Sequence, residues 1–224
     1  MANWVESQAR RANRNLLITN LALLAGAILI FVLNRDYDFR SDYVLVGFGV
    51  VVLLLIGWNC VKALRRYSEI QTCPVWRQAA TYGDVEQIAM QIEQDQQMGQ
   101  TKYGKLVVTP SWLIHRSWFL TWVSPLEDLA WIYKKTITHY TNFIPTGKSY
   151  AAVIFGRRRQ QVEVRASRKK VDQLLADLAA RVPWVVFGYS KEIQNAWQKD
   201  AAGFVAEVDS RRQALKAKGG SAGS

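Results

Sequence analysis

The chain has 224 residues, half of them hydrophobic, and a formal net charge of +11 at pH 7. This length suggests one domain plus an accessory element, with enough apolar residues for a packed core. Its two cysteines, Cys60 and Cys73, are too few for a disulfide-stabilised fold, lack the spacing of a zinc finger and suit a reducing compartment.

Two long apolar runs lie near the N-terminus. The first, LLITNLALLAGAILIFVL, contains 18 residues without a charge at positions 16–33, and the second, YVLVGFGVVVLLLIGWNCV, contains 19 at positions 43–61. A helix over the first run would extend about 27 Å, close to the thickness of a bilayer core. One such run would also fit a buried core helix or a signal peptide, but two in close succession predict a transmembrane helical hairpin.

The charged residues around these runs predict the orientation of the hairpin. The intervening loop, NRDYDFRSD, has two arginines and three aspartates. Because cytoplasmic loops carry the excess of Lys and Arg, we expect both termini in the cytoplasm and the loop outside. Neither run contains an ionisable residue apart from Cys60 and Tyr43, which favours an anchor over an ion pathway. The basic flanking residues are Arg10, Arg11, Arg14, Lys62, Arg65 and Arg66.

Short helical segments connect the hairpin to the rest of the chain. Pro74 can open a first helix and Gly83 can close it. Asp84, with Gln87 three residues later, has the pattern of a capping box and predicts the start of a second helix.

Beyond residue 100 the apolar period changes from about 3.6 to 2, which predicts β-strands. Short gaps that contain Pro, Gly, Ser or basic residues indicate an antiparallel meander. Residues 110–111 and 144–147 are the two turns that contain proline. The six predicted strands are KLVVT, WLIHR, WFLTWV, LAWIYKKTITHYT, SYAAVIFG and QVEVRA.

An amphipathic helix follows the strands, with Ser167 as its cap and Pro183 at its end. A further helix starts near Ser190, and a polar helix extends to about Lys216. The fold class is therefore a membrane α-helical hairpin plus an α+β cytosolic domain, a curved antiparallel sheet of about six strands with a C-terminal amphipathic helix. The predicted divisions are 1–66 (N-terminal segment and two spans), 67–100 (helical linker), 101–183 (sheet and helix), 184–217 (C-terminal helices) and 218–224 (an added flexible linker).

A family resemblance is visible in three segments within residues 126–189, namely LEDLAWIYKK, NFIPTGKSYAAVIF and VPWVVFGYS. The chain resembles an uncharacterised family of bacterial two-span membrane proteins with a cytosolic pleckstrin-homology-like (PH-like) domain. The resemblance covers roughly residues 75–200 and implies a fold and a membrane setting, the inner membrane of a bacterium, but no reaction. It depends on Glu127-Asp128, Trp131, Tyr133-Lys134-Lys135, Asn142 to Lys148 and Gly188-Tyr189-Ser190.

Basic residues concentrate in the predicted sheet and the helix that follows it. Arg157, Arg158 and Arg159 form a cluster that we call the RRR turn. The cluster fits an ordinary solvated turn, but other Lys and Arg residues lie close to it in the sequence. Since each Lys or Arg near an anionic membrane surface contributes about 1 kcal/mol, we expect these residues to orient the domain on anionic phospholipid or on a partner. The candidate binding residues are Arg157, Arg158, Arg159, Arg168, Lys169, Lys170, Lys134 and Lys135.

Signals for catalysis are weak. His115 and His139 lack the partners of a good zinc site, and Glu127 and Asp128 would point to opposite faces of a strand. The stretch IPTGKS lacks the first glycine of a phosphate loop, which excludes a nucleotide site there. We therefore predict no catalytic residues, no cofactor and no metal. Nucleic acid is disfavoured because most tryptophans fit a core or the membrane.

The sequence predicts a membrane-anchored, non-enzymatic interaction or scaffold protein. Its cytosolic domain would bind a protein partner, itself as a homo-oligomer, or anionic lipid headgroups. The alternative is a sensor in which the mouth of the sheet binds a small molecule or peptide and the membrane hairpin transmits the signal. An enzyme is the third possibility.

Overall fold

A computed structural model describes residues 3–33 and 43–220, and the side chains of residues 31–33, 43–46, 48 and 218–220 lie outside the description. The chain divides into two compact units. The first contains Met1–Glu93 and Ser117–Trp122, and the second contains Gln94–Arg116 and Val123–Ser224.

The first unit is helical. Helices α1 (Trp4–Leu33) and α2 (Tyr43–Ser68) pack together, and a 3₁₀ turn and α3 (Pro74–Ala80) follow. Helix α4 (Val85–Met98) begins where the capping pattern predicts, because the Asp84 Oδ1 atom accepts hydrogen bonds from the backbone N–H groups of Glu86 and Gln87 at 2.9 and 3.0 Å. The two helices that the sequence predicted before the strands are therefore present.

The surroundings of α1 change along its length. Its first half packs against protein, with Val5 and Ala9 fully buried. From Leu17 onward its large apolar side chains are exposed. Trp4–Ile30 is long and apolar enough to cross a membrane, which by length and composition alone is weak evidence for a span.

In the described part of the chain α1 is the one candidate membrane helix, whereas the sequence predicted two. The second apolar run forms α2, but the side chains at its start lie outside the described residues, and the helix continues through the charged Lys62, Arg65 and Arg66. The predicted second span is therefore not confirmed. The loop predicted outside the membrane, residues 34–42, lies outside the described residues.

The first sheet has four strands in the order β1-β2-β3-β4. These are β1 (Thr101–Tyr103), β2 (Leu106–Val108), β3 (Trp112–Arg116) and β4 (Thr121–Pro125), and β2 pairs antiparallel with β1 and β3. The turn at residues 110–111 is confirmed: the Thr109 backbone N–H donates to the Trp112 carbonyl oxygen at 2.9 Å.

The second sheet also has four strands, in the order β7-β6-β5-β8. Strands β5 (Leu129–Thr141), β6 (Ile144–Gly156) and β7 (Gln161–Ala166) are antiparallel neighbours, whereas the two-residue β8 (Val186–Phe187) pairs parallel with β5. The longest predicted strand has the bounds that the sequence indicated.

Two predictions about these strands are wrong. The described residues form two sheets rather than one sheet of six strands, because Pro125 and the 3₁₀ turn Leu126–Asp128 separate β4 from β5. Strands β1 and β8 are too short to show a periodic pattern. The second hairpin turns at Asn142 and Phe143 rather than at residues 144–147.

The helices of the second unit are α5 (Arg168–Arg181), α6 (Lys191–Lys199) and α7 (Ala201–Gly220), so α7 extends past the predicted boundary at residue 217. The helix is amphipathic, as predicted: Val171, Leu174 and Leu178 are buried on one face, and α5 packs against β5, β6 and β7. Polar contacts join α5 to the first sheet: the Tyr103 hydroxyl donates to Asp177 at 3.3 Å, and Arg181 donates to the Thr109 carbonyl oxygen at 3.3 Å.

An aromatic cluster covers the other face of the second sheet. At its centre, Trp131 is 1% exposed, stacks on Phe155 with a centroid separation of 4.8 Å, and donates its indole N–H to the Gly188 carbonyl oxygen at 2.8 Å. Trp197 and Phe204 pack on the same cluster from α6 and α7. The aromatic cluster on one face and α5 on the other therefore pack against the part of the β5–β6 hairpin that is far from its turn.

Candidate functional site

The distal part of the β5–β6 hairpin forms a free two-stranded ribbon. Strand β7 pairs with β6 from Tyr150 to Phe155, and β8 pairs with β5 at two residues only. Within residues 3–33 and 43–220, strand residues 137–141 and 144–149 pair only with each other, and the hairpin extends roughly 17 Å beyond the last rung of β7. We call residues 137–149 the ribbon.

The end of the ribbon is apolar and exposed. Tyr140 is 65% exposed, Phe143 98% and Ile144 66%. Asn142 and Phe143 connect the strands with φ values of 47° and 63°, as in the type I′ turns that suit two-residue hairpins. Phenylalanine is costly in this left-handed region, so the turn holds a strained, solvated aromatic side chain that contributes little to packing. We call residues 140–145 the ribbon tip.

This turn explains the error in the sequence prediction. Asn tolerates left-handed φ, so Asn142 was a usable turn signal, but the Pro-Thr-Gly sequence that follows it matches a commoner turn pattern. Pro145 lies instead in β6 opposite Tyr140, next to a register shift. A proline is tolerated there because that side of β6 is a free edge beyond the end of β7. The exposed tip itself was missed.

The candidate cations are distributed along the second sheet. Arg168, Lys169 and Lys170 follow the end of β7 that pairs next to the base of the ribbon, whereas Arg157, Arg158 and Arg159 connect β6 to β7 at the opposite end. Residues 129–170 contain ten Lys and Arg residues and a single acidic residue, Glu163, so the region has a strongly positive field. We call the eight predicted cations and Lys148 the cationic surface: Lys134, Lys135, Lys148, Arg157, Arg158, Arg159, Arg168, Lys169 and Lys170.

Several members of the cationic surface have acidic partners. Lys134 bonds Asp172 at 2.5 Å, and Lys135 bonds Glu163 at 3.0 Å. Glu163 also bonds Arg165 at 2.7 Å, and these hydrogen bonds, first from Arg165 and then from Lys135, lower the pKa of Glu163. Exposed pairs of this kind contribute at most about 1 kcal/mol each, but they leave less charge for a ligand.

Arg157 makes contacts that stabilise the fold. Its guanidinium pairs with Asp209 of α7, and its backbone N–H donates to the Asp128 carbonyl oxygen at 2.8 Å. Arg212 pairs with Glu127 close by, and the hydrogen bond from Arg212 is the main reason that the pKa of Glu127 is lowered. These contacts join the RRR turn and the start of β5 to α7, so Arg157 serves the fold more than a ligand.

The remaining cations face solvent. Arg168 lies 3.8 Å from Asp172 at the limit of an ion pair, and Arg158 is exposed. Among the described residues, Lys148, Arg159, Lys169 and Lys170 are exposed and have no ion-pair partner. The structure therefore places the accessible charge on the ribbon, on the RRR turn and on the first turn of α5.

Titratable groups do not converge on this surface. His139 shares a hydrogen bond of 2.9 Å with Ser149, and His115 lies on β3 in the first sheet, where burial and then the charge of Lys105 lower its pKa. Burial raises the pKa of the Cys73 thiol, which disfavours its reactive thiolate. Within the described residues, no three His, Cys, Asp or Glu side chains are placed to hold a metal ion.

A cavity of about 190 Å³ lies in the first unit. Its lining includes Glu6, Arg10, Asn13, Arg66 and Tyr67, from α1 and α2 rather than from either sheet. It is therefore separate from the sheet mouth where the sequence placed a possible sensor pocket.

Comparison with known proteins gives a family without a known activity. Residues 84–197, about half of the chain, match the family described as Domain of unknown function (DUF6709). No curated protein matches the chain, and no solved structure matches it. The match covers both sheets, α5 and nearly all of α6, and so includes the ribbon and the cationic surface.

Proposed function

For a chain that belongs to the DUF6709 family of unknown function, we propose a membrane-anchored, non-enzymatic interaction module that binds anionic phospholipid through its cationic surface and ribbon. Helix α1 is the anchor in this proposal. The protein resides in the inner membrane of a bacterium with its folded α+β part in the cytoplasm.

The observation that carries the proposal is the combination of charge and apolar exposure on one hairpin. From Leu129 to Val162 there is no acidic residue, and the turn places Phe143 in solvent at 98% exposure. Water is a poor environment for such a side chain, whereas the boundary between headgroups and acyl chains accepts both aromatic rings and lysines. Anionic lipid therefore complements both features at once.

The topology also supports the proposal of a PH-like domain. The chain forms a four-stranded sheet, then a meander of β5, β6 and β7, and then α5, which contacts strands of both sheets. Antiparallel strands followed by an amphipathic helix are what the resemblance implies, although the strands form two sheets rather than the single six-stranded sheet that was predicted. The resemblance bears on the fold, and the binding proposal depends on the charges and the tip.

The proposal is tested with the full-length protein in liposomes made of equal parts phosphatidylcholine and phosphatidylglycerol. After extraction in mild detergent, the lipids that remain bound are quantified by mass spectrometry. We expect phosphatidylglycerol to be enriched over the liposome mixture. Replacement of the four unpaired cations should abolish the enrichment, since each contributes about 1 kcal/mol near an anionic surface. The variant is Lys148→Ala, Arg159→Ala, Lys169→Ala and Lys170→Ala.

A matched control removes the same number of charges elsewhere. Its four lysines are also exposed and lie outside the cationic surface. Equal lipid profiles for wild type and both variants would refute the proposal, and an equal loss in both variants would show only a response to net charge. The control is Lys102→Ala, Lys105→Ala, Lys191→Ala and Lys199→Ala.

A protein partner or a second copy of the chain is the competing occupant of the same surface. The free edges of the ribbon would accept an added strand. Cross-linking of the full-length protein in native membranes, followed by mass spectrometry, distinguishes these cases. A stoichiometric partner that is lost in the four-residue variant, without phosphatidylglycerol enrichment in liposomes, would replace lipid by protein in this proposal.

A further inference from the structure

The turn between β3 and β4 carries three exposed apolar side chains in the first unit. Trp118 is 55% exposed, Phe119 40% and Leu120 49%. The turn is closed by a hydrogen bond of 2.7 Å from the Ser117 backbone N–H to the Leu120 carbonyl oxygen. Three neighbouring large apolar residues in an exposed turn are unfavourable in water and indicate an apolar environment.

The turn is attached to α1 by its backbone. The Asn15 side chain, 8% exposed, donates from Nδ2 to the Trp118 carbonyl oxygen at 2.7 Å. Phe119 and Leu120 also line, with Ala9 and other residues of α1, a void of about 10 Å³, the size of a single water. The attachment therefore involves the part of α1 that is packed against protein.

Directly after Asn15 the exposed apolar stripe of α1 begins. Leu17 is 43% exposed, Ile18 48% and Leu21 67%. Leu17 lies about 3 Å along the helix axis from Asn15, so the turn lies beside the point where the apolar surface of α1 starts. Arg11 and Arg14, both exposed, lie within about one turn of Asn15. Aromatic and basic side chains at the end of an apolar stripe are typical of a membrane interface.

We propose that the turn Ser117–Leu120 lies in the lipid interface as a second membrane contact beside α1 and sets the depth to which α1 inserts. The inference rests on the proposed membrane setting and concerns a different surface from the ribbon. Its occupant is phospholipid, because the turn lies at the level along α1 where the exposed apolar residues begin and the neighbouring arginines complement lipid phosphates.

The test uses full-length protein with single cysteines labelled by an environment-sensitive fluorophore, in liposomes that contain lipids spin-labelled at the headgroup or deep in the acyl chain. Cys60→Ser and Cys73→Ser remove the native thiols. The label is placed at Phe119→Cys, at Leu24→Cys within the apolar part of α1, and at Glu86→Cys, an exposed charged position on α4. We expect the headgroup quencher to reduce the signal at position 119 about twofold and to leave position 86 unchanged.

Position 24 separates this inference from the proposed function. If the acyl-chain quencher reduces the signal at position 24 and neither quencher reduces it at position 119, the inference is wrong, while the proposal that α1 is a membrane anchor still holds. Absence of quenching at both positions overturns the membrane setting as well. Quenching at 119 equal to that at 86 also overturns the inference, since the turn would then be no closer to lipid than an exposed charged residue.

A second measurement needs no cysteine replacement. In liposomes of brominated phosphatidylcholine, tryptophan fluorescence of the wild type should be quenched more than that of Trp118→Phe. Since Asn15 bonds the carbonyl oxygen of residue 118 and not its side chain, this variant keeps the attachment to α1. Identical quenching of the two proteins would overturn the inference.

Discussion

Replacing Phe143 by glycine should stabilise the fold while weakening lipid binding. Phe143 has φ 63° and is 98% exposed, so its side chain has almost no packing to lose. Relief of the left-handed conformation is worth about 1–2 kcal/mol. The extra freedom of glycine in the unfolded chain costs about 0.5–1 kcal/mol. The net gain is therefore between about 0 and 1.5 kcal/mol, or a rise in Tm of up to about 6 °C for a chain of this size.

The matched control is Phe143→Ala, which removes the same ring but keeps a Cβ atom. Alanine retains the strain, so its Tm should stay at or below that of wild type, while both variants should lose phosphatidylglycerol enrichment to a similar extent. Thermal unfolding in detergent, followed by tryptophan fluorescence, measures the first quantity, and the liposome extraction measures the second. A lower Tm for Phe143→Gly would refute the reasoning, because the ring would then have to contribute to the fold.

Three further predictions concern buried or paired groups. Asp95→Ala should lower the free energy of unfolding by about 1–3 kcal/mol, because the buried carboxylate accepts hydrogen bonds from the Ser111 backbone N–H at 2.7 Å and from the buried Thr109 hydroxyl at 3.0 Å. Arg157→Ala should lower Tm and expose α7 to faster hydrogen exchange, because its partner Asp209 lies on that helix, yet it should leave lipid enrichment nearly unchanged. Wild type should lose stability as the pH falls below about 6.5, and His115→Gln should lose less, because the folded state lowers the pKa of His115 and disfavours its protonation.

Each of these predictions has a control and a contradicting result. Asp95→Asn keeps one acceptor and should cost less than Asp95→Ala, so equal losses would contradict the hydrogen-bond explanation. Arg159→Ala should show the converse of Arg157→Ala, with weaker lipid enrichment and an unchanged Tm. Parallel melting curves of wild type and His115→Gln from pH 8 to pH 5 would show that this histidine does not contribute to the pH dependence.

The incorrect turn prediction in the ribbon shows which features local sequence patterns cannot predict. The bounds of β5 follow from its run of β-branched and aromatic residues, since that preference is local. The position of the turn does not, because two adjacent segments, one with Asn142 and one with Pro145, both have turn chemistry. Pairing of β5 with β6 over almost their whole length selects the first. The exposed tip is a consequence of that register.

Elements with strong local signals could be predicted from the residues alone. They are the apolar run of α1, the Asp84 cap of α4, the long strand β5 and the buried apolar face of α5. These follow from hydropathy, capping and periodicity within one or two turns of chain. The basic region could also be located, because the positions of Lys and Arg along the chain are read directly from the sequence.

The division of the strands into two sheets, and the set of cations that remain available to a ligand, depend on contacts between residues far apart in the chain. Lys134 pairs with Asp172 and Arg157 with Asp209, and in each case the two residues belong to different elements of the fold. Such pairs form because packing brings those elements together, and no local pattern encodes the distance between them. The same packing leaves Phe143 in solvent and places Trp118 beside Asn15.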